Sequence, residues 1–316
     1  MLTSSQRLAL LIFLAAVAQP LAARTTAQFG LLGDTGYSDY GRGQLPLMLQ
    51  HMGEANLDFA IHDGDIKNGR SRCDDAIYNE VLAVFRAAPM PVVYVPGDNE
   101  WTDCRRALCG SFNPEERLDF LRRTFFFDSR SLGQQRIELE RQSRQKEFAR
   151  FVENVRWQAG GAMFVTLNMP GADNNVVHRE EFELRNRANL AWLAEGFRIA
   201  RERKLRGILI AIQANPHIEA DNEGAGKPGF KAFLDRLREE TADFSGQVVL
   251  VHGDTHQMQI NRPLKDRRTR QTVENFTRIE TYGFPFMGWI RGSVDDSDPK
   301  VFRFETHPWP PHPLLR

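Results

Sequence analysis

Short runs of apolar, β-branched and aromatic residues recur along the chain, each ending in Gly, Asp, Asn or Pro: residues 29–32, 57–61, 92–95, 162–167, 207–212 and 248–251. Such runs, bounded by turn formers, predict strands buried on both faces of a sheet. Between them, apolar positions repeat at three and four. Residues 76–87 and 115–125 keep that spacing, 186–203 place Leu190, Leu193, Phe197 and Ala200 on one helical face, and 230–241 do the same. Alternation of strand and helix predicts a layered α/β sheet. Two stretches break the rhythm. Residues 131–150 are rich in Arg, Gln and Glu and read as a solvated excursion packed on the domain. Residues 277–282, 287–294 and 301–305 are β-rich with no helix between them, so the sheet is expected to end in antiparallel strands before an irregular, proline-rich tail at 307–313. No internal repeat and no Gly- or Ser-rich linker marks a domain boundary.

The first residues follow a different pattern. Arg7 precedes an apolar run over 8–18, which is followed by Gln19-Pro20-Leu21-Ala22-Ala23. A basic flank, a short apolar core and small residues predict a secretory signal, and the run is short for a permanent membrane helix. Residues 1–23 are therefore expected to be removed near Ala23 or Ala27. Residues 24–316 are then one secreted or periplasmic domain, with no stable membrane insertion after cleavage. Export changes the reading of Cys73, Cys104 and Cys109, since an oxidising compartment would pair two of them. Cys73 with Cys104 is favoured because each lies a few residues beyond a candidate active-site loop; Cys104 with Cys109 is the local alternative. The charge balance, 41 Lys and Arg against 41 Asp and Glu, argues against a nucleic-acid partner.

Candidate chemistry lies at the strand ends. The first three runs lead into Gly33-Asp34-Thr35-Gly36, His62-Asp63-Gly64-Asp65 and Pro96-Gly97-Asp98-Asn99-Glu100. Two later ones lead into Gln213-Ala214-Asn215-Pro216-His217 and His252-Gly253-Asp254-Thr255-His256. In α/β sheets ligands bind beyond the carboxyl ends of strands, so these loops are expected to converge on one cleft. Carboxylates gathered in that way repel one another, and a divalent cation is the natural remedy. A lone Gly-Asp is a common turn. Three in order at strand ends, followed by His256, are far more specific.

In those motifs the chain resembles the calcineurin-like metallophosphoesterase superfamily, over about residues 29–256. The resemblance implies a four-layer β-sandwich flanked by helices and hydrolysis of phosphate esters through a metal-activated water. It also implies a first metal held by Asp34, Asp65 and His256, and a second held by Asp65 and Asp98. Departures accompany the matches. Gly36 and Asn99 stand where the family has His, Gln213 stands near the place of another, and Asp254 replaces the first His of the last motif. The candidate ligands become Asp34, Asp65, Asp98, Gln213, Asp254 and His256, with at most one imidazole. Oxygen donors favour hard ions, so two divalent ions are expected, Mn²⁺ or Mg²⁺ first, then Ca²⁺, ahead of zinc and iron.

Asn99 lacks a transferable proton, so His62 and His217 join it as catalytic candidates, with His252 beside the same loops. Arg70, Arg72, Arg105 and Arg106 are candidate phosphate contacts or plain surface residues. Asp173, Asn174 and Asn175 either line the cleft or form a turn, and Trp101 either stacks on substrate or packs beneath its loop. The expected function is that of an exported metal-dependent phosphoesterase acting on a small-molecule or phosphorylated substrate. The alternative is a catalytically inactive metal- or anion-binding protein on the same fold.

Overall fold

The structure, a computed structural model, describes residues 26–310; the expected signal at 1–23 lies outside them. The apolar runs become two sheets. In the first, β1 (Thr26–Leu32), β2 (Phe59–His62) and β3 (Val92–Tyr94) are parallel. The second contains β4 (Glu140–Arg141), β5 (Val155–Ala159), β6 (Ala162–Thr166), β7 (Gly207–Ala211) and β8 (Gln247–His252), then β9 (Gln259–Asn261) and β10 (Phe276–Glu280). Its order is β4-β5-β6-β7-β8-β10-β9. The chain then returns to the first sheet through β11 (Gly288–Asp295) and β12 (Phe302–Pro308), giving the order β12-β11-β1-β2-β3.

Helices cross over between parallel strands. The first sheet carries α1 (Asp39–Glu54), α2 (Asp75–Ala87) and α3 (Pro114–Phe125). The second carries the short α4 (Gly171–Asn174) and α6 (Ile218–Asn222) and the long α5 (Arg179–Glu202) and α7 (Pro228–Ala242). Strand alternation divides the core among the layers. Ile208 and Ile210 of β7 pack with Trp192, Phe197, Phe233 and Leu237 of the helices. Leu209 and Ala211 face the other way, joining Phe29, Phe59, Phe164 and Ile290 between the sheets. A third cluster joins Leu45, Met48, Phe85 and Leu121 to Ala60, Val92 and Tyr94. These layers, helix, sheet, sheet and helix, are those the resemblance implied.

Two expectations are corrected. Residues 131–150 are more than a solvated excursion: they supply β4, and the Gln142 side chain is fully buried, donating to the Ala188 carbonyl at 2.7 Å. The β-rich C-terminal part does not end one sheet. β10 pairs in parallel with β8, and β11 leaves to pair antiparallel with β1.

Candidate active site

The carboxyl ends of β1, β2, β3, β7 and β8 lie along one side of the two sheets, and their loops meet there. Asp34 and Asp65 are held in register by backbone bonds from Asp34 N–H to the Gly64 carbonyl, 3.0 Å, and from Thr35 N–H to the Asp65 carbonyl, 3.1 Å. Asp34, Asp65, His217, Asp254 and His256 all adopt positive φ, between 49° and 77°, a conformation uncommon for side-chain-bearing residues. Backbone outliers of this kind concentrate where surrounding structure fixes the geometry of a site.

Three carboxylates meet around glycines. A Cβ at Gly171 would lie 2.5 Å from Asp98 Oδ2 and 3.1 Å from Asp254 Oδ1, and one at Gly97 would lie 2.1 Å from Asp65 Oδ1. Burial, then the neighbouring carboxylates, Asp98 first, push the Asp65 pKa well above its usual range; burial and Asp254 do the same to Asp98. Asp254 is raised to about 6, chiefly by burial. Gln213 is fully buried; its Oε1 accepts from Gly171 N–H at 2.8 Å and its Nε2 has no partner.

On the other side of Asp65 lies Tyr37, which the sequence reading did not single out. Its hydroxyl has Asp65 Oδ2 at 2.8 Å, Asp34 Oδ1 at 3.1 Å and His256 Nε2 at 3.4 Å, and it accepts from Asn99 Nδ2 at 2.8 Å. His256 Nε2 is also 3.2 Å from Asp34 Oδ1, and its Nδ1 donates to the Phe284 carbonyl at 2.7 Å. Burial works to lower the His256 pKa, but the hydrogen bond and charge of Asp34 outweigh it and the pKa is raised.

Glu100 was also missed, although it ends the Gly97-Asp98-Asn99-Glu100 motif. Its buried Oε1 accepts from Asp65 N–H at 3.0 Å, Gly97 N–H at 2.7 Å and the Tyr94 hydroxyl at 2.7 Å, tying the β2 and β3 loops together. The disulfide between Cys73 and Cys104, Cα atoms 5.7 Å apart, joins the same two loops farther out; Cys109 is free and buried. It is the pairing favoured from the sequence.

The catalytic candidates fare differently. His62 is fully buried against Phe85; its Nδ1 accepts from Gly64 N–H and its Nε2–H donates to Thr35 Oγ1 at 2.8 Å. Burial lowers its pKa to about 3, so His62 is a packing residue and not a proton donor to the cleft. His252 is likewise buried with its pKa lowered to about 3. Asn99 commits its amide to Asp65 Oδ2, 2.7 Å, and to Tyr37, so it positions these groups. His217 flanks the cleft half-buried, its pKa lowered by burial and by Lys227.

Trp101 is buried beneath its loop, under the Arg185 guanidinium. Arg72 and Arg106 pair with Asp74 and Asp103, Arg105 donates to Asn175 Oδ1, and Arg70 is exposed. The segment 171–175 borders the cleft through Gly171, while Asp173 and Asn174 bond to α7 at Gly229.

Among the described residues no trio of His, Cys, Asp or Glu is already drawn in to the spacing of a bound metal. The donor chemistry divides the cleft. Asp65 and Asp98 are buried and Asp254 half-buried, mutually repelling oxygen donors, a set that fits a hard cation. Asp34 and His256 have the Tyr37 hydroxyl between themselves and Asp65, and that half does not fit one as it stands.

The fold is shared with solved structures. The chain is similar to a dimetal phosphatase from Danio rerio, with TM-score 0.55, 14% identity and coverage of 89% of this chain and 99% of that one. It is similar to PhoD, with TM-score 0.53, 12% identity and coverage of 91% and 70%. It is also similar to a purple acid phosphatase from yellow lupin (Lupinus luteus) seeds, with TM-score 0.51, 11% identity and coverage of 90% and 54%. No family model and no curated protein sequence matches the chain. The fold is that of the metallophosphoesterases.

Proposed function

We propose that the protein is an exported, metal-dependent phosphoesterase that hydrolyses phosphate esters at its Asp-rich cleft. The observation that carries this reading is the convergence of Asp34, Asp65, Asp98, Asp254 and His256 at the strand ends of a phosphatase fold. Asp65, Asp98 and Asp254 would hold a hard divalent cation, Mn²⁺ or Mg²⁺ ahead of Ca²⁺. Such a cation supplies the positive charge that draws in a phosphoryl group and makes water a better nucleophile.

The chain's own residues set the stage. Glu100 and Asn99 orient Asp65 from two sides, and Asn215 N–H holds Asp254 Oδ2 at 3.0 Å. His217, half-buried on the β7 loop and kept neutral near pH 7, is the imidazole left beside the cleft to accept a proton from an attacking water. Arg106 lies near Asn99, its Nη1 3.6 Å from a Cβ placed on Gly69, and that nitrogen is held by Asp103, so an incoming phosphate would have to compete with that carboxylate for it. The Cys73–Cys104 disulfide supports the exported setting, because such crosslinks persist in oxidising compartments. No helix among the described residues is long and apolar enough to cross a membrane.

One observation favours the second reading, a binding protein without turnover. The Asn99 amide is committed within the protein, and His62 and His252 are locked in the core. Assays on aryl phosphate mono- and diesters with Mn²⁺, Mg²⁺, Ca²⁺ or Zn²⁺, beside Asp65→Ala, separate the two. Metal-dependent turnover that Asp65→Ala abolishes is expected, and none above that control would leave the binding reading.

A further inference from the structure

We propose that the Tyr37 hydroxyl takes the position of the first cation, so that the cleft holds a single divalent cation at Asp65, Asp98 and Asp254. This rests on the cation-binding half of the function proposed above. The donors that the fold offers a first cation, Asp34 Oδ1, Asp65 Oδ2 and His256 Nε2, surround one phenolic oxygen at 3.1, 2.8 and 3.4 Å. Mn²⁺ or Mg²⁺ would need contacts of about 2.0–2.2 Å in that same space. A hydrogen-bonded oxygen therefore excludes the ion as long as the ring stays in place.

The loop is built to keep it there. The Tyr37 ring stacks on Phe284, centroids 5.8 Å apart, and meets His256 edge-on at 5.1 Å. Asn68 Nδ2 donates to the Tyr37 carbonyl at 3.3 Å, and Asn99 fixes the hydroxyl. The preceding residue cannot supply the missing ligand. Gly36 has φ +71°, and a Cβ there would sit 3.1 Å from the Ile66 carbonyl oxygen, so an imidazole at this position would strain the turn that delivers Tyr37.

Charge compensation is uneven across the cleft. Asp34 is paired with His256; Asp254 feels the charges of Lys227 and His256, whereas the largest influences on Asp65 and Asp98 after burial are other carboxylates. Beside Asp98, at Gly171, lies the Gln213 carboxamide with its buried, unpartnered Nε2. The need for an external cation is thus greatest at Asp65 and Asp98.

Equilibrium dialysis of the whole protein against Mn²⁺, with metal analysis and electron paramagnetic resonance, tests this. One Mn²⁺ per chain is expected, with no spin-coupled pair. Asp254→Asn should weaken binding about tenfold or more, the loss seen even for supporting residues of metal sites, while Asp34→Asn, whose retained carbonyl can still accept from Asp254 N–H, weakens it clearly less. Tyr37→Ala should admit a second ion, and thermal unfolding checks that each variant is folded. Two ions in the unaltered protein, or a single ion lost with Asp34→Asn and kept with Asp254→Asn, would overturn the proposal while leaving the phosphoesterase reading intact. No Mn²⁺ bound at all would overturn both. One ion without hydrolysis would overturn only the phosphoesterase reading.

Discussion

The His62 ring shows how tightly single residues are specified next to the cleft. Both nitrogens are engaged, one by Gly64 N–H and one by Thr35, and burial holds the pKa at about 3. A folded pKa below the unfolded value of about 6.5 means the neutral ring stabilises the fold above that pH. The contribution is lost as pH falls from there toward about 3. Side-chain NMR should show the His62 resonances unmoved between about pH 8 and 5 in folded protein; a midpoint near 6.5 would contradict the buried assignment. From the sequence, His62 looked the equal of His217, because adjacency to a Gly-Asp turn does not say which way a strand-terminal side chain points. The aspartates were legible for a different reason: each closes a Gly-Asp turn after a strand, on the side of the sheet where the loops converge. Tyr37 left one trace only, an aromatic next to the Gly36 that had displaced an expected ligand.

Among the elements, those with uniform signals were readable. The helices at 75–87, 114–125 and 228–242 begin and end within a few residues of their apolar repeats. α1 was not recognised, because Gly41, Gly43 and Pro46 interrupt a pattern carried only by Leu45, Met48, Leu49 and Met52. The division of strands between sheets was equally hidden, since a run that is apolar on both faces does not reveal its neighbour. What joins the two sheets is aromatic. Phe59 meets Phe164 at 4.9 Å and Trp157 at 5.3 Å, and Phe29 meets Phe164 at 5.2 Å, between ring centroids. Phe59→Ala should cost about 3–5 kcal/mol, read from urea unfolding. A cost below about 1 kcal/mol would mean the sheets close over the gap.

For the whole molecule, the equality of 41 basic and 41 acidic residues conceals a buried acidic cleft held by neutral donors and backbone N–H groups. The layered architecture was legible through the motif resemblance; the loop connections that secure the cleft were legible only at Cys73 and Cys104. Replacing both by Ala should lower stability by about 3–4 kcal/mol, the loop-closure value for a separation of 31 residues. Equal unfolding midpoints for the oxidised protein and the double variant would refute that.

The return of β11 to β1 has a consequence for how the protein is made. β1 is hydrogen-bonded along both edges, to β2 and to β11, so the strand that delivers Asp34 lacks one neighbour until residues 288–295 have been synthesised. Folding that proceeds from the N-terminus as the chain emerges halts with that edge bare. The cleft is thus completed only once residues 288–295 have emerged and paired, so its assembly trails that of the three parallel strands beside it.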